Sequence, residues 1–393
     1  MSRSESLSLT DEEWDKVVYE QKSKQDELNT TLNPAQFDGQ KVAAFPPGNT
    51  EIASNFHITR HIYDRAMPKD CPTGYRLAAR RQGVRIHADL EVFVAIPYSL
   101  IARTCNTNIG VMVEFPGGGG FTGSPNFDSW RHEARWMYAA QAIHSSCWPI
   151  LVDVGYRLMP EDDSIEILGS LDKFCDWVFT RLEGILQTLN PILKIAWEHF
   201  SISAQSFGCT IAFALYCKIM DRATPMGFRV AGIMFRYPVS NHYKRDAREG
   251  IKYMGVSVSQ RHLEEASERI AVARRAITWA TPRAGSLPPN GMWGAPVFAC
   301  SEAHPWSTMW NGPSIYDLLQ RVSHHVSSTV WYIRHGMADV HVRYEDSIEL
   351  AKLLKACGAE VKLDIVEDEA HAFDFKEELS EPIREFWDRC LGQ

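Results

Sequence analysis

Three polar residues that each follow an apolar, strand-like segment have the side chains needed for nucleophilic chemistry. Ser206 lies in 202–208, between such a segment and the helix-like run 209–220. Asp339 and His371 follow two later strand-like segments. A serine hydroxyl becomes a nucleophile when a histidine takes its proton, and a carboxylate holds that histidine in place. These residue types can therefore supply a nucleophile, a base and the support of that base.

The surroundings of Ser206 are typical of a sharp turn from a strand into a helix. Such a turn needs small residues two positions before and after the serine, because neighbouring chain segments crowd it. Gly208 meets this need, and Ala204 stands where a glycine is usual. Alanine is the next smallest residue, so the turn is possible with some strain. A serine before a glycine is also common in ordinary turns, which makes the pattern weak by itself.

A proline and four consecutive glycines, 116–120, follow another strand-like segment. Without Cβ atoms this loop can take positive φ angles and bring its N–H groups close to a ligand. Such N–H groups serve either a phosphate or the oxyanion of a tetrahedral intermediate. The Gly-Lys-Ser/Thr element of a phosphate loop is absent. The block alone leaves an oxyanion hole and a flexible loop as equal alternatives.

The elements that must position these residues alternate between apolar strands and amphipathic helices. Segments 84–96 have the alternation of antiparallel strands or a hairpin, and later strands are short and apolar enough to be buried on both faces. Those later strands are 109–115, 148–154, 198–203, 228–235, 329–333 and 361–366, with helical spacing over 165–185 and 348–354. This order predicts an α/β fold with a mostly parallel sheet flanked by helices.

Residues 240–325 interrupt the alternation and contain helical stretches, for example 264–278, without a convincing strand. We expect a helical cap, or lid, over the carboxyl edge of the sheet, where open α/β sheets bind ligands. The alternative is an excursion with only a packing role. The predicted division is an N-terminal cap segment 1–59, a core of 60–240 and 326–393, and a cap insertion 241–325. Aromatic residues in the insertion are candidates for an apolar pocket or for lid packing: Trp279, Trp293, Phe298, Trp306 and Trp310.

Five segments together resemble the hormone-sensitive-lipase branch of the α/β hydrolases, which includes carboxylesterases. They are Val113–Ser124, Tyr156–Glu161, Ala204–Gly208, Gly336–Asp339 and His371–Phe373. Each of Asp339 and His371 is an ordinary loop residue when taken singly, but the order serine, aspartate, histidine is that of an α/β-hydrolase triad. The resemblance spans residue 80 to the end and is weak before that and within 240–325. It implies the α/β-hydrolase fold and a serine esterase.

The resemblance also implies a role for each matching residue. Ser206 would be the nucleophile, His371 the general base and Asp339 its support. The N–H groups of Gly118, Gly119 and Phe207 would form the oxyanion hole. Arg157 and Glu161 match a family motif and would brace a loop. No metal or organic cofactor is expected, because the histidines have no ligand spacing.

Several positions depart from the family pattern. Pro116 replaces a histidine before the glycines, and Gly120 replaces an aromatic residue after them. Gln205 replaces an aspartate, and Phe207 replaces a small residue, so its ring is expected to narrow or redirect the pocket. These changes indicate an unusual substrate, or a triad used for another reaction than ester hydrolysis.

Composition limits the possible partners. The chain has 393 residues and a formal charge of −8, so nucleic acid is a poor first choice. No apolar run is long enough to span a membrane, and no signal peptide is evident. Nine cysteines, an odd number without a Cys-x-x-Cys pair, indicate reduced thiols in the cytoplasm. The expected partner is a small hydrophobic ester, or a polycyclic or acyl substrate; a homodimer is one option for an oligomeric state that stays open.

Three functions compete at this point. The first is a serine hydrolase acting on a carboxylic ester or lactone of a hydrophobic small molecule. The second is a recruited enzyme of specialised metabolism that catalyses acyl transfer, lactonisation, elimination or cyclisation, which the altered oxyanion loop would favour. The third is a non-catalytic small-molecule receptor, against which the intact set of Ser206, Asp339 and His371 argues.

Overall fold

The computed structural model describes residues 9–31, 55–66, 73–83, 88–120, 123, 125, 133, 136, 148–159, 162–222, 224–241, 252–253, 256–257, 310–375 and 380–391. Its helices are α1 (Asp11–Thr31), α2 (Thr73–Arg81), α3 (Tyr98–Ile101), α4 (Ser164–Leu189), α5 (Gly208–Met220), α6 (Ile315–Val322), α7 (Tyr344–Ala356) and α8 (Glu381–Cys390). Its strands are β1 (Phe56–Ala66), β2 (Ala88–Pro97), β3 (Thr107–Phe115), β4 (Trp148–Val154), β5 (Leu193–Gln205), β6 (Val230–Arg236), β7 (Lys252–Tyr253), β8 (Val256–Ser257), β9 (Val330–Gly336) and β10 (Glu360–Val366).

Eight of the strands form one sheet in the order β1-β2-β4-β3-β5-β6-β9-β10, and β7 and β8 form a separate pair. β2 is antiparallel to both β1 and β4, and every later pairing in the large sheet is parallel. The predicted α/β class, a mostly parallel sheet flanked by helices, is therefore confirmed. The carboxyl ends of β3, β5, β6, β9 and β10 consequently meet at one edge of the sheet.

The central strands are apolar throughout because both of their faces are covered. On one face Val113 and Ile202 belong to the main core with α4 and α5. On the other face Met112 and Met234 pack with Trp387 of α8. A parallel strand that is buried on both faces needs apolar residues at consecutive positions rather than at alternate ones.

Two of the helices start at residues whose side chains hold the free N–H groups of the first turn. The side chain of Asp163 accepts hydrogen bonds from the N–H groups of Ile165 and Glu166 and begins α4. Ser314 and Asp317 form a reciprocal capping box at α6. None of the helices in the described ranges combines the length and the apolar character that crossing a bilayer requires.

The largest difference from the sequence-based bounds is in β5. β5 has 13 residues, longer than the predicted 198–203, because the exposed Glu198 and the partly exposed Trp197 and His199 interrupt the apolar pattern inside it. The described part of the alternating stretch before residue 97 is one strand, β2 (Ala88–Pro97), and its antiparallel partner β1 carries polar residues at most positions. The predicted helix 264–278 and the lid aromatics Trp279, Trp293, Phe298 and Trp306 lie outside the described residues.

Candidate active site

The three residues expected to form a triad follow three strands of the parallel sheet. Ser206 comes directly after β5, Asp339 lies three residues after β9, and His371 lies five residues after β10. β5, β6, β9 and β10 are consecutive neighbours in the sheet. All three residues therefore lie at its carboxyl edge, where ligands bind in open α/β sheets.

Ser206 has a backbone conformation that side-chain-bearing residues seldom adopt. Its φ angle is +53°, in the left-handed region, and such a residue stores ~1–3 kcal/mol of strain. Three backbone hydrogen bonds hold it there. Its N–H donates to the Arg236 carbonyl (2.9 Å), and its own carbonyl accepts from the N–H groups of Cys209 and Val239 (3.1 Å each). The turn between β5 and α5 thus has the geometry of a nucleophile elbow.

Gly208 is required by the close approach of the preceding loop. A Cβ atom on Gly208 would lie 2.5 Å from the Pro116 carbonyl oxygen and 2.7 Å from that of Phe115. Gly117 also lies close to the elbow, since a Cβ there would be 3.1 Å from the Ser206 Cβ atom. The glycine block and the serine turn therefore form one packed unit, as the sequence pattern indicates.

Hydrogen bonds from the segment after β4 hold the glycine block in its conformation. Gly118, Gly119 and Gly120 have φ angles of +105°, +64° and +78°, which explains why consecutive glycines are needed. The Tyr156 hydroxyl donates to the Pro116 carbonyl at 3.0 Å. The Met159 N–H donates to the Gly120 carbonyl at 2.8 Å.

Phe207 and Gly120, two departures from the family pattern, lie against each other. A Cβ on Gly120 would be 2.8 Å from the Phe207 ring and 2.6 Å from the Met159 Cε atom. The Phe207 ring is fully buried and meets the Trp310 ring edge-on, with 5.0 Å between centroids. The ring thus fills the space beside the glycine block, and a larger residue at position 120 would collide with it.

Asp339 and His371 are hydrogen-bonded. His371 Nδ1 lies 2.6 Å from Asp339 Oδ2, and the carboxylate is buried. Asp339 Oδ1 accepts from the N–H groups of His341 (2.8 Å) and Val342 (2.9 Å). Burial favours a higher pKa, but the charge of His371 and hydrogen bonds from His335 and His371 outweigh it and hold the pKa of Asp339 well below its usual range. Asp339 is therefore ionised and can fix the orientation of the imidazole.

Tyr237 connects the loops that carry the serine and the histidine. Its hydroxyl lies 3.0 Å from Gln205 Oε1 and 3.1 Å from Asp374 Oδ1. Its ring packs on the His371 imidazole, with 4.6 Å between centroids. Tyr237 itself has a φ of +40°. Gln205 directly precedes Ser206, so one buried side chain contacts both halves of the site.

Beneath this link, the fully buried Arg236 is surrounded by carboxylates. Its guanidinium lies 3.1 Å from Glu114, 3.4 Å from Glu133 and 3.8 Å from Asp374. Burial opposes the charged form, but these carboxylates reverse that effect and raise the pKa of Arg236. The Arg236 carbonyl also accepts from the Ser206 N–H, so the charged cluster is directly connected to the backbone of the nucleophile.

The structure joins some of the predicted site residues and leaves others apart. Asp339 contacts His371, and the glycine block contacts the serine elbow, but no hydrogen bond joins Ser206 and His371 in the described part of the chain. Such contacts often tighten only when a substrate is bound. Arg157 pairs with Asp162 at 2.5 Å and braces the loop after β4. No three His, Cys, Asp or Glu side chains within the described ranges are grouped so that they could hold a metal ion.

Three residues of the site are not predicted from the sequence: His335, Arg236 and Tyr237. His335 stands four residues before Asp339, Arg236 is the last residue of β6, and Tyr237 follows it directly. A polar residue within an otherwise apolar strand is the signal that marks Arg236, because a buried charge needs partners. Nothing in the spacing marks the other two.

Comparisons with known proteins identify the fold but no close relative. No protein-family model matches the chain, and no curated protein matches it. Among solved structures, 914 chains match. A mutant of the esterase rPPE complexed with (S)-Ac-CPA is 13% identical, covers 93% of this chain and 96% of its own, and has a TM-score of 0.51.

Two further structures extend the comparison. A protein of unknown function from Staphylococcus aureus is 14% identical over 85% of this chain and 97% of its own, with a TM-score of 0.50. The esterase LipW from Mycobacterium marinum is 15% identical over 96% of this chain and 89% of its own, with a TM-score of 0.49. Together with the sheet order and the serine elbow, the likeness to the rPPE structure shows that the chain has the α/β-hydrolase fold.

Proposed function

We propose that this protein is a serine hydrolase that cleaves the carboxylic ester or lactone of a hydrophobic small molecule. The observation that carries the proposal is the pairing of a strained serine elbow at Ser206 with the hydrogen bond between His371 and the buried Asp339 at the same sheet edge. A strained residue that several hydrogen bonds maintain is characteristic of functional sites. The esterase rPPE, a solved structure with the same fold, supports the same class of reaction.

In the proposed mechanism each residue has one task. Asp339 accepts the Nδ1–H of His371, which leaves Nε2 of His371 able to take the Ser206 hydroxyl proton. The Ser206 oxygen attacks the ester carbonyl, and the N–H groups of Gly118, Gly119 and Phe207 hold the resulting oxyanion. His371 then returns the proton to the leaving alcohol. Water, activated by the same histidine, releases the acid from the serine.

The substrate class rests on sequence as well as structure. Trp310 is the member of the predicted lid aromatics that the structure describes, and it is buried against Phe207, next to the glycine block. We propose that the insertion brings its other aromatic residues over the same edge. Free thiols at the six described cysteines agree with a cytoplasmic enzyme.

The alternative of cyclisation, elimination or acyl transfer was motivated by the altered oxyanion loop. The mutual packing of Gly120 and Phe207 explains two of those changes by volume, without a new reaction. Mass spectrometry of the products separates the cases, because hydrolysis adds the mass of water and cyclisation does not. Products of simple esters that lack this added mass would favour the alternative.

The decisive experiment compares two serine variants of β5 and its turn. Ser206→Ala should lower kcat toward an ester such as p-nitrophenyl butyrate by about a millionfold and abolish labelling by a fluorophosphonate. Ser201→Ala is the matched control, because Ser201 is also fully buried on β5 and its hydroxyl makes no hydrogen bond in the described part of the chain. Turnover retained in Ser206→Ala would refute the mechanism. Absence of labelling in the unmodified enzyme would favour the receptor instead.

A further inference from the structure

A second histidine contacts the carboxylate of Asp339. His335, within β9, is fully buried, and its Nε2 atom lies 3.0 Å from Asp339 Oδ2 and 3.1 Å from the Val342 carbonyl oxygen. Its Nδ1 atom lies 2.7 Å from the hydroxyl of Ser347 on α7. The carboxylate oxygen that accepts from His371 thus faces two imidazole rings.

The partners of His335 determine which of its nitrogens carries the proton. Nε2 faces two acceptors, a carboxylate and a carbonyl, so it carries the hydrogen. Nδ1 then accepts from the Ser347 hydroxyl, which can rotate to donate. In this arrangement Nε2 of His335 donates to Asp339, and contacts on both sides of the ring fix its orientation.

The His335 contact completes the hydrogen bonding of Asp339. Oδ2 accepts from His335 and His371, and Oδ1 accepts from two backbone N–H groups. A carboxylate with all its acceptor directions filled cannot rotate without losing a buried hydrogen bond. His335 therefore prevents the rotation that would move Oδ2 away from His371.

We propose that His335 is a positioning residue that holds the Asp339 carboxylate in register with His371 and moderates the negative charge that His371 experiences. The proposal rests on the function proposed above. Its physical content is that the N–H of His335 draws electron density from the oxygen that it shares with His371. Removal of that donor should strengthen the attraction between Asp339 and the His371 imidazolium and so raise the pKa of His371.

Among the described residues, three titratable side chains make a hydrogen bond or a ring contact with His371. His341 lies beside His371, with 5.5 Å between ring centroids, and Asp339 is the carboxylate that both His335 and His371 contact. Tyr237 packs on the His371 ring as well, and α7 contributes the uncharged Ser347. A change at His335 therefore reaches His371 mainly through Asp339.

The test compares two substitutions that differ in one hydrogen bond. His335→Leu removes the donor, and His335→Gln keeps an N–H at a similar reach. We expect His335→Leu to lower kcat about tenfold to a hundredfold with KM almost unchanged, as outer partners of catalytic groups do. The acid limb of the pH profile of kcat/KM should move to higher pH in His335→Leu. In His335→Gln most of kcat should be recovered, and the acid limb should lie where it does in the unmodified enzyme.

Two further measurements keep the test decisive. If His335→Leu fails to fold, Ser347→Ala serves instead, because it frees Nδ1 of His335 and should give a smaller loss of kcat in the same direction. NMR titration of the His371 imidazole in the Ser206→Ala background reports its pKa without turnover. The proposal is overturned if neither the His371 pKa nor the acid limb of kcat/KM moves in His335→Leu, or in Ser347→Ala where that variant replaces it. Equal kcat in His335→Leu and His335→Gln would also overturn it.

The failure of the proposed function is separable from this result. If fluorophosphonate does not label the unmodified enzyme, the serine hydrolase assignment fails, whatever the titration of His371 shows. If labelling and turnover are normal but His335→Leu behaves like the unmodified enzyme, only the role of His335 is wrong.

Discussion

The two halves of the candidate site are maintained by different physical means. On the serine side, Gly208 and Gly117 allow two chain segments to approach closely. A Cβ atom on Gly208 would lie 2.5 Å from the Pro116 carbonyl oxygen, and one on Gly117 would lie 3.1 Å from the Ser206 Cβ atom. On the histidine side, Asp339 accepts four hydrogen bonds and contacts His371 at 2.6 Å. The serine side therefore depends on the small volume of its glycines, and the histidine side depends on which atoms donate and accept hydrogen bonds.

This difference decides what a substitution should do in each half. Added volume near Ser206 must displace backbone and should reduce stability. An altered donor or acceptor near Asp339 can leave the fold intact and change the protonation of His371. The two kinds of damage can be measured separately, by unfolding and by kinetics.

The largest effect is expected from Asp339→Asn. The amide has nearly the same shape, but its NH₂ group only donates, so either the two histidines or the two backbone N–H groups lose their acceptor, and His371 loses the charged carboxylate that supports its active tautomer. We expect kcat to fall about 10⁴-fold, as loss of a triad carboxylate does. The rate of fluorophosphonate labelling measures the same loss on the serine. Labelling within tenfold of the unmodified enzyme would contradict the assignment.

The same variant also tests the electrostatics by acid unfolding. Because the pKa of Asp339 is lower in the folded protein, the carboxylate contributes stability above its unfolded pKa of about 3.9 and loses that contribution as pH falls toward the folded value. The difference in melting temperature between the unmodified protein and Asp339→Asn should therefore shrink from about pH 7 to about pH 3. A constant difference would show that Asp339 has the same pKa in both states.

On the serine side, Gly208→Ala should reduce the stability of the fold without changing the protonation of His371. The new methyl group would meet two backbone oxygens at 2.5 Å and 2.7 Å, and backbone cannot rotate away as a side chain can. We expect a loss of about 3 kcal/mol in the free energy of unfolding by denaturant.

Gly184→Ala provides the matched control. This glycine lies within α4, and a Cβ atom added to it would have no neighbouring atom within 4 Å among the described residues. Alanine should stabilise that helix by up to about 1 kcal/mol. If both variants changed stability alike, the close packing of the serine elbow would not be what limits position 208.

The sequence predicted the serine side better than the histidine side. The glycines of 116–120 and Gly208 are visible because steric demands leave few residue choices. The location of Ser206, Asp339 and His371 at one edge of the sheet also follows from their positions after parallel strands. The sequence does not mark His335 and Tyr237, because a buried hydrogen-bond donor has no characteristic spacing. The partners of His335 follow it within twelve residues, and those of Tyr237 come from distant parts of the chain. The register that brings them together is a property of the folded sheet.

The smallest and sharpest change is Tyr237→Phe, which removes one oxygen from the contact between the halves. The ring would still pack on His371, but the link from Gln205 to Asp374 would be lost. We expect about 1 kcal/mol less stability, the usual net value of one hydrogen bond. We also expect a roughly fivefold lower kcat with KM unchanged, because small misplacements of a base are costly.

Tyr216→Phe separates a loss of positioning from a loss of stability. The Tyr216 hydroxyl is also buried, and its partner Thr329 lies 3.5 Å away, just before β9 and thus at the opposite edge of the sheet from Ser206. This control should lose stability and retain kcat. If Tyr237→Phe also retained kcat, the steric half and the hydrogen-bonded half would keep their alignment independently. If kcat falls only in Tyr237→Phe, the Tyr237 hydroxyl aligns the serine side with the histidine side. The two sides would then act as one catalytic site although different interactions maintain each of them.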